Sequence, residues 1–126
     1  MGPHEPQIIR LTEATFYILL SLTPGEKHGY AILKDVETLS QRRVVLSIST
    51  LYSALERMQT QGLIGRVDDV SPPAAPGLPR KVYHLTGAGQ NALEAELEYL
   101  KNMVNAGKAR LAGLNNLETK TYLWTG

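Results

Sequence analysis

Val44–Gly62 reads VVLSISTLYSALERMQTQG. Leu51, Ala54, Leu55 and Met58 fall at i, i+3, i+4 and i+7, which is one inward helix face. Either Ser47 or Ser49 can cap the N-terminus, because a short hydroxyl side chain accepts from the free N–H groups of a first turn. Gly62 is a natural stop, since the residue after a helix often takes the left-handed conformation that glycine adopts without cost. The outward face holds Ser49, Thr50, Ser53, Arg57 and Thr60. Glu and Lys have higher helix propensity and would dissolve such a face better. Solubility alone therefore does not account for a hydroxyl-rich face with one cation.

Two helices precede this one. In Leu11–Leu22, LTEATFYILLSL, Thr12 can act as N-cap with Glu13 in the favourable first turn. The segment is apolar nearly all round, as a buried core helix is, and Thr23-Pro24-Gly25 ends it. A second helix is expected from about His28 to Leu39, with Ile32, Leu33, Val36 and Leu39 on one face. Gly29 near its start costs about 1 kcal/mol against Ala in a helix interior. Either its backbone approaches another helix or a phosphate closely, or the helix begins after it.

Downstream, Leu63–Val67 and Arg80–Leu85 read as the two strands of a hairpin, with Tyr83 and Leu85 in its core. Val70–Pro79 between them contains four prolines and a glycine, which excludes regular helix or central strand and makes it a loop at the tip. Thr86 caps a fourth helix. Its Leu93, Leu97, Leu100, Val104, Gly107, Leu111 and Leu114 alternate in spacings of four and three, a coiled-coil seam interrupted by Gly107. Such a seam needs a core or a second chain, and Leu93, Leu97, Leu100 and Val104 are expected to hold a homodimer. Glu94, Glu96 and Glu98 alternate at i+2 and are expected in solvent.

Three helices followed by a hairpin is the order of a winged helix-turn-helix. The expected fold class is therefore mainly α with a small antiparallel β-hairpin and a long C-terminal dimerisation helix. The boundaries are a winged helix-turn-helix DNA-binding domain over 8–86, the dimerisation helix over 87–114 and a tail over 115–126. In that architecture the third helix enters the major groove, where Ser and Thr bond bases or phosphates and Arg forks onto guanine. The wing sets Arg80 and Lys81 beside the DNA backbone or in the minor groove.

Composition narrows the alternatives. The chain has 126 residues and no cysteine, which excludes a disulfide framework, a thiolate metal site and a thiol nucleophile. No apolar run approaches the roughly 18–20 residues of a membrane span, and Met1–Pro6 does not resemble a signal peptide, so a cytoplasmic location is expected. Residues 40–84 carry six basic side chains against three acidic ones, a modest local excess that suits an anionic partner. His4, His28 and His84 lack ligand spacing, so no metal or other cofactor is expected. No nucleophile–base pair, phosphate-cradling glycine loop or paired carboxylates speak for an enzyme.

Three stretches make the reading specific: HGYAIL at His28–Leu33, STLYSALERMQTQGLI at Ser49–Ile64 and PRKVYHLTGAGQNAL at Pro79–Leu93. In this order and spacing they resemble the PadR family of transcriptional regulators, over about residues 10 to 105. The resemblance implies a winged helix with a C-terminal dimerising helix, and repression relieved by a small molecule or other signal. It sets Tyr30 and Tyr52 near the DNA backbone, Ser49, Thr50, Ser53 and Arg57 on the recognition helix, and Arg80 and Lys81 on the wing. Ser53 stands where the family often has Pro, and the wing loop from Asp68 to Pro79 exceeds the usual short turn. The single C-terminal helix resembles the family's shorter branch.

Double-stranded DNA and a second copy of the chain are thus the expected partners, with half-sites about one helical turn (roughly 34–36 Å) apart. A small-molecule effector would need aromatic walls, and Phe16, Tyr17, Tyr99 and Trp124 are the rings that could supply them. The rival reading is a winged-helix protein-interaction module whose third helix binds protein.

Overall fold

The computed structural model describes residues 10–68 and 81–121, with side chains as far as Asn116. The loop 70–79, Arg80, Tyr122 and Trp124 lie outside the described residues. The elements in chain order are α1 (Glu13–Ser21), β1 (Lys27–His28), α2 (Gly29–Leu39), α3 (Ile48–Thr60), β2 (Ile64–Asp68), β3 (Lys81–Leu85) and α4 (Gly87–Thr121). This is the mainly helical winged-helix architecture, with one addition to its sheet.

The helix starts follow side-chain chemistry. Thr12 Oγ1 accepts from Thr15 N at 3.1 Å and caps α1. Of the two candidate serines, Ser47 caps α3, accepting from Thr50 N at 3.2 Å. Thr86 Oγ1 accepts from Gly89 N at 3.0 Å at the head of α4.

The two inner helix ends use one device with different residues. After α3, Gly62 takes φ +78°, its N–H donates to Gln59 O at 2.9 Å, and Leu63 N donates to Met58 O at 3.0 Å. These are the two bonds of a Schellman motif, which satisfy carbonyls the helix leaves open. After α2, Gln41 N donates to Thr38 O at 3.1 Å and Arg42 N to Glu37 O at 2.8 Å, the same pair of bonds. Here no glycine is present: Gln41 and Arg42 adopt φ 54° and 67°, where a Cβ costs about 1–2 kcal/mol per residue. Ser40, buried beneath this turn, donates to Glu37 O and accepts from Val44 N at 3.0 Å, which fixes the route into α3.

The expected two-stranded hairpin is a three-stranded antiparallel sheet in the order β1-β3-β2. His28, expected to open the second helix, instead ends β1 and stands at the N-cap of α2. Lys27 faces Tyr83 and His28 faces Val82, while Ile64 through Asp68 pair with Leu85 back to Lys81. The wing strand β3 is therefore bonded along both edges. Lys27 Nζ also meets Asp35 Oδ2 at 2.7 Å, which ties β1 to the helix that follows it.

The core draws on every helix. Ile18 and Leu19 of α1, Ile32 of α2, and Leu51, Leu55 and Met58 of α3 are all 0% exposed, and Tyr83 and Leu93 join the same cluster. Leu93, expected in the dimer seam, is thus occupied by the core of its own chain. The head of α4 fits closely here. A Cβ on Gly89 would strike the carbonyl oxygen of Leu63 and lie 2.9 Å from Leu85 Cδ1.

The chain divides into two compact units, the first ending at Glu94 and the second starting at Ala95. In the second, α4 runs on through Gly107 and Gly113 and past Leu114 to Thr121. The whole helix of 35 residues is about 52 Å long. Leu97, Val104, Leu111 and Leu114 are 47%, 53%, 61% and 55% exposed, and Leu100 is half-buried. Glu96, expected in solvent, is only 5% exposed. Among the described residues no helix is long and apolar enough to cross a membrane.

Candidate nucleic-acid interface

The face of α3 opposite Leu51, Leu55 and Met58 is the centre of the site. Ser49, Ser53, Glu56 and Thr60 lie at i, i+4, i+7 and i+11, so they form one stripe, and all are exposed. Thr50 and Arg57 flank it and are exposed as well. At its N-terminal end three hydroxyls share protons: Ser47 Oγ lies 3.3 Å from Ser49 Oγ and donates to Thr50 Oγ1 at 2.9 Å. Ser47 thus both caps the helix and orients two of the side chains that face outward.

Beside the stripe lies an open, polar groove of about 400 Å³ between α3 and the sheet, lined by Tyr52, Glu56, Gln59, Thr60, Arg66, Lys81 and Tyr83. Two elements fix its tyrosines. Tyr83 sits on the central strand, 2% exposed. Tyr52 leans toward the start of α2, where a Cβ on Gly29 would lie 2.8 Å from its Cζ. Gly29 is therefore the close backbone approach that was one of its two readings.

Burial pushes the Tyr52 phenol above the ordinary value of 10.0. Burial does the same to Tyr83, reinforced by the neighbouring Tyr52 and by Asp68 and opposed by Arg66. A neutral phenol is an O–H donor, which is the form a phosphate oxygen needs.

Arg66 and Lys81 line this groove, and Arg57 flanks the stripe. Lys81 is half-buried at the start of β3, and Arg57 stands on the helix flank. Tyr30, 52% exposed in the first turn of α2, has Lys34 Nζ 5.5 Å from its ring centroid. Lys34 and Arg66 were not among the expected site residues, and the signal for Lys34 was its i+4 spacing from Tyr30. Arg66 pairs loosely with Asp68 at 3.9 Å, an exposed contact worth about 0–1 kcal/mol that a phosphate can displace.

Of the rings considered for an effector, Trp124 lies outside the described residues. Phe16 and Tyr17 of α1 are half-buried and pack on each other edge to face, with ring centroids 5.5 Å apart. Tyr99 belongs to the second unit. Among the described residues no group of His, Asp and Glu could hold a metal ion.

Comparison with known proteins agrees with this fold. The chain is 31% identical over 88 residues to an uncharacterized 37.1 kDa protein in transposon TN4556 of Streptomyces fradiae, which is 70% of this chain but 23% of that protein. Among solved structures, a PadR family transcription regulator from Clostridium difficile R20291 is 26% identical with a TM-score of 0.63, covering 79% of this chain and 99% of the other. A PadR-like transcriptional regulator from Bacillus cereus ATCC 14579 is 28% identical with a TM-score of 0.57, covering 78% and 89%. The family model of PadR-like transcriptional regulators matches residues 18–95, which take in the end of α1, all of α2 and α3, the sheet and the head of α4. The chain belongs to the PadR-like family of transcriptional regulators.

Proposed function

We propose that this regulator is a repressor that binds a pseudo-palindromic operator in double-stranded DNA as a homodimer. The observation that carries the reading is the hydroxyl stripe of α3, exposed opposite a fully buried face and bordered by a groove with two neutral phenols and Lys81. Ser49, Thr50, Ser53 and Arg57 read the major groove, while Tyr30, Tyr52, Lys81 and Arg80 take backbone phosphates. Phosphates supply much of the affinity, so binding falls steeply with salt.

The dimer rests on α4. Leu97, Leu100, Val104, Leu111 and Leu114 run for about 26 Å along the helix, and apolar side chains of this size gain about 1.5–3 kcal/mol each on full burial. A second copy of the same seam covers them at a two-fold axis, which matches a palindromic site. Release from the operator by a small-molecule effector belongs to the same proposal, and a compound that lowers operator affinity at fixed salt identifies it.

The test is selection of bound fragments from a genomic library by the purified protein, at 50 and 200 mM salt (roughly the range over which six to ten phosphate contacts lose a thousandfold or more). Arg57→Ala runs in parallel. Enrichment of a palindrome that weakens with salt and is lost in the variant supports the reading. A protein that enriches no sequence at either salt refutes it and favours a protein partner for α3.

A further inference from the structure

We infer that Glu56 reads a cytosine in each half-site, by accepting a hydrogen bond from the N4 amine in the major groove; the inference rests on the DNA-binding reading above. Glu56 occupies the middle of the exposed α3 stripe, between Ser53 and Thr60. It also lines hollows on both flanks of the helix: the groove toward Tyr52, Arg66 and Lys81, and a second beside Ser53, Arg57 and Gln61. If α3 enters a groove of DNA along this stripe, the carboxylate enters with it.

The surrounding acids are handled differently. On α2, α3, β2 and β3 the described carboxylates are Asp35, Glu37, Glu56 and Asp68. Asp35 is bonded to Lys27, Glu37 pairs with Arg42 at 3.4 Å, and Asp68 pairs with Arg66. Glu56 has no ion-pair partner among the described residues, so its carboxylate is available to a donor in the groove. Against phosphates, and against the acceptor atoms of guanine, a bare carboxylate is repelled.

The groove nonetheless offers donors of two kinds, the N4 amine of cytosine and the N6 amine of adenine. The adenine amine lies beside the N7 acceptor of the same base, which repels the second carboxylate oxygen. The cytosine amine lies beside a C5–H, which does not. The charge logic therefore selects cytosine. A carboxylate also rejects most other contacts, so it contributes discrimination more than affinity.

The experiment begins with sites selected from random double-stranded DNA by the wild type, Glu56→Gln and Glu56→Ala. The wild-type motif should hold cytosine at one position of each half-site, and both variants should relax that position by roughly tenfold, the discrimination expected of one good base contact. The variants should also bind unselected DNA more tightly, because a negative charge has been removed. A second measurement isolates the atom. N4-methylcytosine keeps its Watson–Crick pair but replaces the groove-facing N–H with a methyl group. Installed at that position, it should weaken the wild type about tenfold and leave Glu56→Ala unchanged.

A wild-type motif identical to that of both variants, or equal sensitivity to N4-methylation with and without the carboxylate, overturns the inference while leaving DNA binding intact. A wild type that selects no motif overturns the DNA-binding reading itself.

Discussion

Replacing Gly89 by Ala should destabilise this protein, although helix propensity alone says the opposite. Within a helix the change gains about 1 kcal/mol. At Gly89 the new methyl would meet the Leu63 carbonyl oxygen and lie 3.0 Å from the carbonyl carbon, and both are backbone. That carbonyl cannot retreat freely. It accepts from Thr86 N at 3.3 Å, and the adjoining Gly62 O accepts from Thr86 Oγ1 at 2.7 Å. Overpacking costs about 1–3 kcal/mol and more where the obstacle is rigid. Taking the upper end and subtracting the propensity gain leaves about 2 kcal/mol, or a fall in Tm of about 10 °C for a domain of this size. Gly113→Ala on the same helix is the internal control, because a Cβ there meets nothing within 4 Å. Thermal and urea unfolding of the three proteins decide the matter. If Gly89→Ala matches or exceeds the parent in stability, the head of α4 does not pack on the α3–β2 turn as described.

Three further outcomes follow from the same structure. Gln41→Gly should stabilise by about 1 kcal/mol, since it removes a side chain from the left-handed region at φ 54°; an unchanged urea midpoint would contradict the strained turn. Stability should be fully present below pH 10 and fall as pH rises past it through the higher folded-state values, because the fold holds the Tyr52 and Tyr83 protons more tightly than the open chain does. Tyr52→Phe should flatten that alkaline loss, and an identical profile in the variant would remove Tyr52 as its cause. Leu97→Asp should give monomers by light scattering and lose operator binding together, whereas a dimer that still binds would place the interface elsewhere.

Much of the architecture was legible because it is written in local chemistry. Thr12 and Thr86 sit immediately before their helices, and Gly62 immediately after one, so caps and stops could be read directly. Residues of low information hid the rest. Two residues, Lys27 and His28, are too few to show the alternation that marks a strand, and pairing with β3 rather than propensity makes them one. The left-handed turn at Gln41 and Arg42 carries no glycine or asparagine to announce it. Leu93 and Leu97 share one helical period, and periodicity does not distinguish a leucine facing its own core from one left exposed. At the proposed site, the hydroxyls and Arg57 stand out in the sequence because their chemistry suits DNA. Glu56 was passed over for its sign, although its i+7 spacing from Ser49 puts it on the same stripe.

The double pairing of β3 bears on how such a regulator can change over evolutionary time. A strand bonded on one edge can slip by a residue, and every side chain then exchanges faces. With β1 on one side and β2 on the other, slippage of β3 would break two ladders and carry Tyr83 out of the core. The stem is thereby locked. Loop closure costs only about 0.6 kcal/mol for each doubling of length. Insertions between Asp68 and Lys81 can therefore accumulate and acquire new contacts without disturbing α3 or the groove beside it. The exposed face of α3 and the length of that connection can diverge independently.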